Sequence, residues 1–482
     1  MEWVGLGLLI LVGVGTLSTG LPAAIVLIAV ATLGAVLAVA SGTVPLALFG
    51  ALPLRLINLF DNDLLQALPL YVMMGLLLDR LPVADALYRA GLAVLRRRPS
   101  APLVSGMALG ALLGPMSGSV GASVLGLARV VSPRLAANGV SVPLRYATIA
   151  VAGTLGVLVP PSLVTILLGD AMLSAHTIAV TVTGRADRVI NTQDVFHGAM
   201  APAGILLVLY LGLAWLVGRN VRPTETATSD DRLSPQQAAL AVLSLVALLV
   251  LLSGVAAGYF YAVEAAAMGA FALLSAGLLT GRLRGAALRD LLHDAMATTG
   301  ALFSLLVGAT TLTLVLRALG TDRLVNDWVT AIPGGDVAVV TAVLVAIGLC
   351  AFVLDAFEII FVIIPIVIPP LLIRVADARW VAVLVLLTLQ TSFLLPPFGY
   401  ALMMVRGVLK QPVALRLFVR ALMPFLMAQW LLLAAVLLVP ALVHIGENAA
   451  DRTRTPIAPV SDQEVDRRLR EMLPPMSEPP LR

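Results

Sequence analysis

Long apolar runs separated by short arginine-bearing loops constrain this chain more than any other feature. The runs fall at about 4–19, 22–40, 44–58, 64–79, 101–129, 143–176, 199–217, 236–253, 259–280, 298–318, 336–372, 381–409 and 416–443. A helix needs about 20 apolar residues to cross the hydrocarbon core of a bilayer. Backbone polar groups find no water there, so only helices and closed barrels span it. The runs are continuous and do not alternate, which excludes a β-barrel. Hydrophobic residues make up 60% of the chain and charged residues 12%, against about 45–50% and 25% in soluble domains. That balance excludes a soluble globular enzyme, a disordered chain and a fibrous one. The fold class expected is an all-α polytopic membrane protein with about 11–13 membrane segments.

The remaining composition narrows the function classes. The 31 basic and 27 acidic residues give a net charge of +4, and Lys410 is the single lysine. The basic residues sit in loops, where they report membrane orientation; no nucleic-acid partner is implied. Cys350 is alone, so neither an internal disulfide nor a two-cysteine metal motif can form. His176, His197, His293 and His444 are scattered and read as loop or interface residues. No basic region precedes residues 3–19, and the apolar run resumes after Gly20-Leu21-Pro22. The N-terminus therefore reads as a retained membrane helix and not a cleaved signal peptide.

A polar, turn-rich loop at 219–235 divides an N-terminal half, 1–218, from a C-terminal half, 236–446. Residues 447–482 are polar and proline-rich and read as a tail. Each half holds one stretch suited to a hairpin that enters and leaves the membrane on one side. In 101–129 the centre is Gly114-Pro115-Met116-Ser117-Gly118-Ser119-Val120-Gly121, a poor helix and a good turn. Residues 336–372 carry Asp355 and Glu358 in their middle; two full crossings need about 40 residues plus a turn. Each half also holds one interrupted crossing, 143–176 and 381–409. Both have Pro-Pro beside glycine, at Pro160-Pro161 and Pro396-Pro397. Proline removes a backbone donor and disfavours helix in the residue before it. Two in succession are expected to break a helix more firmly than one.

The spacings agree. Pro160 and Pro396 are 236 residues apart, and so are Ser119 and Asp355. Two elements in the same order at one offset indicate an internal duplication. Paired broken segments in corresponding positions point to the binding site of a secondary transporter. The arginines set the orientation. Arg96, Arg97 and Arg98 precede the first hairpin, and Arg129, Arg134 and Arg145 follow it, so its mouth faces the cytoplasm. Arg219 and Arg222, then Arg282, Arg284 and Arg289, then Arg406, Lys410, Arg416 and Arg420 also fall inside if the second hairpin opens outward. The two repeats are then inverted, and the tail is external.

Hard cations such as Na⁺ want oxygen ligands, which unwound carbonyls supply without burying a formal charge. The first expected Na⁺ site therefore combines Ser117, Gly118 and Ser119 at the hairpin tip with Gly153, Thr154, Gly156, Pro160 and Ser162 of the first broken helix. The second combines Asp355 and Glu358 with Thr391, Ser392, Pro396 and Gly399. Within these sets Ser117, Ser119, Gly153 and Gly156, and then Asp355, Thr391 and Gly399, are the Na⁺ ligands expected. An ionisable residue at membrane depth is functional by default, which marks Asp355. Its alternative reading is a buried hairpin cap. Glu358 either pairs with Asp355 or reaches the headgroups, Glu264 reads as structural, and Asp170 reads as a solvated end of the broken helix. No hydrolase triad, phosphate-binding loop or metalloprotease helix appears, so the chain is not read as an enzyme or as an ATP-driven pump.

Gly153-Thr-Leu-Gly-Val-Leu-Val-Pro-Pro-Ser162, Glu264-Ala-Ala-Ala-Met-Gly269 and Leu354-Asp-Ala-Phe-Glu-Ile359 with Pro365 resemble the large, DctM-type membrane subunit of tripartite ATP-independent periplasmic (TRAP) transporters. The resemblance covers about residues 1–445. It implies the ion-transporter-superfamily fold with elevator-type alternating access. It also implies Na⁺-driven import of an organic acid anion, a periplasmic solute-binding protein, a separate small four-helix membrane subunit, and an inner-membrane location. Leu395 stands where the family pattern has Thr before the second Pro-Pro. The Asp355-Ala-Phe-Glu358 tip and 390–400 are more similar to the branch associated with mannitol, chloroaromatic compounds and 2-oxo acids. That leans the substrate towards a monocarboxylate or 2-oxo acid over a C4-dicarboxylate. A stand-alone carboxylate/Na⁺ symporter and a channel are the alternatives.

Overall fold

The structure is a computed structural model of the full chain. It describes residues 2–95, 98–117, 119–185, 188–221, 233–396, 399–409 and 411–445. Gly118, Pro397, most of the connecting loop and the tail lie outside these. The regular secondary structure of the described residues is all helical. The first half runs α1 (Glu2–Thr19), α2 (Ala23–Ala40), α3 (Leu52–Phe60), α4 (Ala67–Arg80), α5 (Val83–Val94), α6 (Ala101–Leu113), α7 (Val120–Ala137), α8 (Val142–Leu158), α9 (Leu163–Thr183) and α10 (Thr192–Gly218). The second runs α11 (Pro235–Ala256), α12 (Ala262–Leu279), α13 (Ala286–Ala318), α14 (Thr321–Ala331), α15 (Asp336–Cys350), α16 (Ala356–Glu358), α17 (Ile364–Arg374), α18 (Ala378–Ser392), α19 (Tyr400–Leu409) and α20 (Leu415–Leu438). Ten of the described helical spans are long and apolar enough to cross a membrane, or up to 11 with the α4–α5 pair, bent by 61°. The remaining apolar runs form shorter helices, among them α6, α15, α18 and α19.

The offset of 236 reappears in the helix starts. Val120 and Ala356 open α7 and α16, and Val142 and Ala378 open α8 and α18, each pair 236 apart. Packing follows the same correspondence. α2 lies along α13 and α12 along α4; α1 meets α14 and α11 meets α5; α6 pairs with α8 and α15 with α18. Exchanging the halves preserves these pairings. α1 to α4 with α11 to α13 form an outer frame. α6 to α10 with α15 to α20 form an inner body, and α5 and α14 touch both. Large apolar side chains are exposed on the frame, among them Leu243 and Phe271, the surface a lipid-facing helix presents.

Residues 101–129 turn back on themselves. A Cβ on Gly106 of α6 would lie 2.9 Å from Val131 of α7, although 25 residues of straight helix would separate the two by about 37 Å. α8 runs alongside α6 in the same direction. Gly106 faces Thr148, Gly110 faces Ala152 and Gly114 faces Gly156, a constant step of one turn. The second unit repeats this at Gly348 of α15, which faces Thr388 and Ser392, and α15 packs against α17.

Two expectations need correction. Asp170 does not end the broken helix: α9 continues to Thr183, and Asn62 Nδ2 donates to the Asp170 carboxylate at 3.2 and 3.3 Å. Nor does a diproline suffice to break a helix, because Pro369-Pro370 sits inside α17. Pro365 and Pro369 deprive the carbonyls of Phe361 and Pro365 of their usual donors. α13 replaces them: Thr313 Oγ1 donates to Phe361 O at 3.2 Å, and Arg317 Nη2 to Pro365 O at 3.3 Å. One π turn, Ile359–Ile363, takes up the change of register.

Candidate functional site

Each half builds its tip by capping a helix start. Ser119, extended in backbone, opens α7; Ala122 N–H donates to its Oγ at 3.1 Å. Asp355 does the same one repeat later. Phe357 and Glu358 N–H donate to Asp355 Oδ1 at 2.9 and 3.0 Å, and Asp355 N–H donates back to Glu358 Oε2 at 3.0 Å. This is a reciprocal capping box. Asp355 thus caps the hairpin through Oδ1. Glu358, 4% exposed, meets the Asp355 backbone and does not reach the headgroups. The two carboxylates share one turn, and among the described residues no basic side chain pairs with either. Glu264 also has a capping role, accepting from Tyr261 N–H at 2.9 Å.

The first helix break follows from its prolines. Pro160 and Pro161 leave the carbonyls of Gly156 and Val157 without their usual donors. Thr165 Oγ1 donates to Val157 O at 3.2 Å and lies 2.7 Å from Ser162 Oγ, which accepts from Thr165 N–H at 3.1 Å and caps α9. Gly156 lines a small cleft with Gly114, Ser119, Gly153 and Ser162. Four residues of the first expected site thus meet: Ser119, Gly153, Gly156 and Ser162. Thr154 is buried and donates to Val151 O at 2.9 Å. Pro160 is buried at the break. Ser117 lies elsewhere. Its Oγ donates to Gly114 O at 2.8 Å, and it lines a cavity facing Gly75 and Asp79 of α4. The sequence did not single out Thr165; only the folded break shows that its hydroxyl serves a freed carbonyl. Thr165→Val is expected to cost about 1–3 kcal/mol through that orphaned carbonyl, read as a lower melting temperature in detergent. An unchanged value would contradict the pairing.

The second break is closed by its own backbone. Phe393 O, whose donor would have been Pro397, accepts from Ala401 N–H at 3.2 Å, and Leu395 O accepts from Gly399 N–H at 2.8 Å. A Cβ on Gly399 would lie 2.6 Å from Phe393 O, so only glycine fits. Thr391 and Ser392 donate to Leu387 O and Thr388 O at 2.7 and 2.8 Å, and among the described residues nothing donates to their hydroxyls. Pro396 is half-buried. Tyr400, the first residue of α19, was also missed by sequence reasoning. Its hydroxyl oxygen would lie 2.9 Å from a Cβ on Gly121 of α7, and its ring stands edge-on to Phe393 with centroids 6.2 Å apart. Tyr400 thus joins the first hairpin and the second break. Its only sequence signal is its place directly after Pro-Pro-Phe-Gly.

Comparison with known proteins bears on this geometry. The family described as "Tripartite ATP-independent periplasmic transporter, DctM component" matches residues 9–442. The chain is 24% identical over 401 residues to the C4-dicarboxylate TRAP transporter large permease protein DctM of Rhodobacter capsulatus, covering 81% of this chain and 88% of that one. It is 21% identical to the 2,3-diketo-L-gulonate TRAP transporter large permease protein YiaN of Escherichia coli, covering 80% and 87%. It is 24% identical to the ectoine/5-hydroxyectoine TRAP transporter large permease protein UehC of Ruegeria pomeroyi, covering 73% and 78%. Among solved structures, the YdaH transporter of Alcanivorax borkumensis shares the fold with a TM-score of 0.58 at 15% identity, over 82% of this chain and 88% of that one. The chain is a multi-pass inner-membrane transporter subunit and not an enzyme, and it belongs to the DctM-component family of tripartite ATP-independent periplasmic transporters, as their large permease.

Proposed function

We propose that this permease imports an organic acid anion by Na⁺ symport, with elevator-type movement of the inner body against the frame. The observation that carries the reading is the crossed packing of two repeat-equivalent units: α7, which opens at the Ser119 tip, packs on α19 beyond the second diproline, and α16, which opens at the Asp355 tip, packs on α9 beyond the first. Carbonyl and hydroxyl oxygens at these places suit Na⁺. Helix N-termini suit a carboxylate, and cations beside them offset the charge of Asp355 and Glu358. The halves are inverted in the membrane, which brings the basic clusters at 96–98, 129–145, 282–289 and 406–420 to the cytoplasmic side. A separate small four-helix membrane subunit extends the frame, and a periplasmic solute-binding protein delivers the anion. A monocarboxylate or 2-oxo acid is favoured over a C4-dicarboxylate; the diketogulonate named for one relative has this chemistry.

Reconstitution in proteoliposomes tests the reading. Saturable uptake of a 2-oxo acid is expected with the small subunit and binding protein present and an inward Na⁺ gradient. Uptake by this chain alone would favour a stand-alone carrier, and non-saturable flux a channel.

A further inference from the structure

The frame carries a groove that the transport reading does not use. It lies between α4, the α4–α5 bend, α11 and α12, and is lined by Leu78, Leu243, Ala247, Leu251, Ala272 and, at one end, Arg282. We infer that it holds one acyl chain of an anionic phospholipid whose phosphate is bound at Arg282.

Three observations carry this. The first is depth. The groove follows α11 from Leu240 to Leu251 and α12 from Met268 to Thr280. At 1.5 Å per residue these are lengths of about 16 and 18 Å, close to one leaflet of a hydrocarbon core about 30 Å thick. A partner's spanning helix would need a groove through both leaflets; an acyl chain needs only one. The second is chemistry. The walls are almost wholly apolar, and Leu243 is 70% exposed. The third is charge at the rim. Gly281 ends α12 with a φ of +71°, and Leu283 folds back to donate to Gly277 O at 3.0 Å and is buried there. Arg282 and Arg284 flank that anchor. Arg282 lines the groove, and Arg284 passes 3.6 Å from the Cβ position of Gly281. Arg282 makes no ion pair among the described residues. The positive-inside orientation places this rim on the cytoplasmic side, where basic pockets between helices take anionic headgroups.

Native mass spectrometry of the full chain in mild detergent tests the site, with added phosphatidylglycerol or phosphatidylcholine of the same acyl composition. One retained phosphatidylglycerol per chain is expected, in about fivefold preference over phosphatidylcholine. Arg282→Gln is expected to bring the two to parity, and Arg416→Gln, an exposed basic residue elsewhere, to leave the preference unchanged. Ala247→Trp, which fills the groove, is expected to lower retention of both lipids. Equal retention of the two lipids by the unsubstituted chain, or a preference surviving Arg282→Gln, would overturn the proposal. Neither Arg282 nor Ala247 lines the clefts at the first hairpin tip, so loss of lipid preference is distinguishable from loss of the transport site.

Discussion

Gly156→Val is expected to abolish uptake. A Cβ at Gly156 would lie 2.4 Å from the carbonyl carbon and oxygen of Gly114 and 2.8 Å from its Cα. These are backbone atoms and cannot rotate away. The substitution therefore pushes α8 off α6 at the level of the cleft where Ser119, Gly153 and Ser162 meet. Overpacking of this kind costs about 3 kcal/mol, spent where α6 and α8 hold the tip in register. Gly212→Val is the control. It lies in α10 with nothing beyond its own helix within 4 Å of its Cβ position, and uptake is expected to persist. Equal activity of the two variants in proteoliposomes, at matched insertion, would contradict the packing described.

Asp355 supports the second large effect, because its cap and its charge can be separated. Asparagine is as good an N-cap as aspartate, so Asp355→Asn keeps an acceptor for Phe357 and Glu358 N–H and removes the charge. Alanine removes both, at about 1 kcal/mol for the cap. Asp355→Ala is expected to lower thermal stability and stop uptake. Asp355→Asn is expected to retain stability and still lose most Na⁺-driven uptake. Full uptake by the asparagine variant would reduce Asp355 to a cap alone.

The fold was legible where local chemistry decides it. Proline cannot donate, so the breaks at 160 and 396 could be read without a structure, as could the turn-forming residues of the first tip. The second tip was marked by Asp355 and Glu358 in the middle of an apolar run, at the same offset from Ser119 as the two diprolines from each other. What could not be read depends on neighbours. α5 and α14 are too short and too mixed in polarity to register as apolar runs, yet they link frame and inner body. Pro369-Pro370 looks like a break and is none, because Thr313 and Arg317 of another helix serve the freed carbonyls. Ser117 and Ser119 are two residues apart in sequence, but one faces α4 and the other the cleft. Thr165 and Tyr400 gain their roles only when the breaks are folded.

The Na⁺ concentration giving half-maximal uptake tests the central claim most directly. It should be compared between the unsubstituted complex, Ser117→Ala, Ser119→Ala and Asp355→Asn in the same proteoliposomes. Ser119→Ala and Asp355→Asn are each expected to raise it at least about tenfold, the loss of about 1.4 kcal/mol of cation binding, and Ser117→Ala to leave it in place. The same half-maximal concentration in all four would contradict cation binding at the paired hairpin tips.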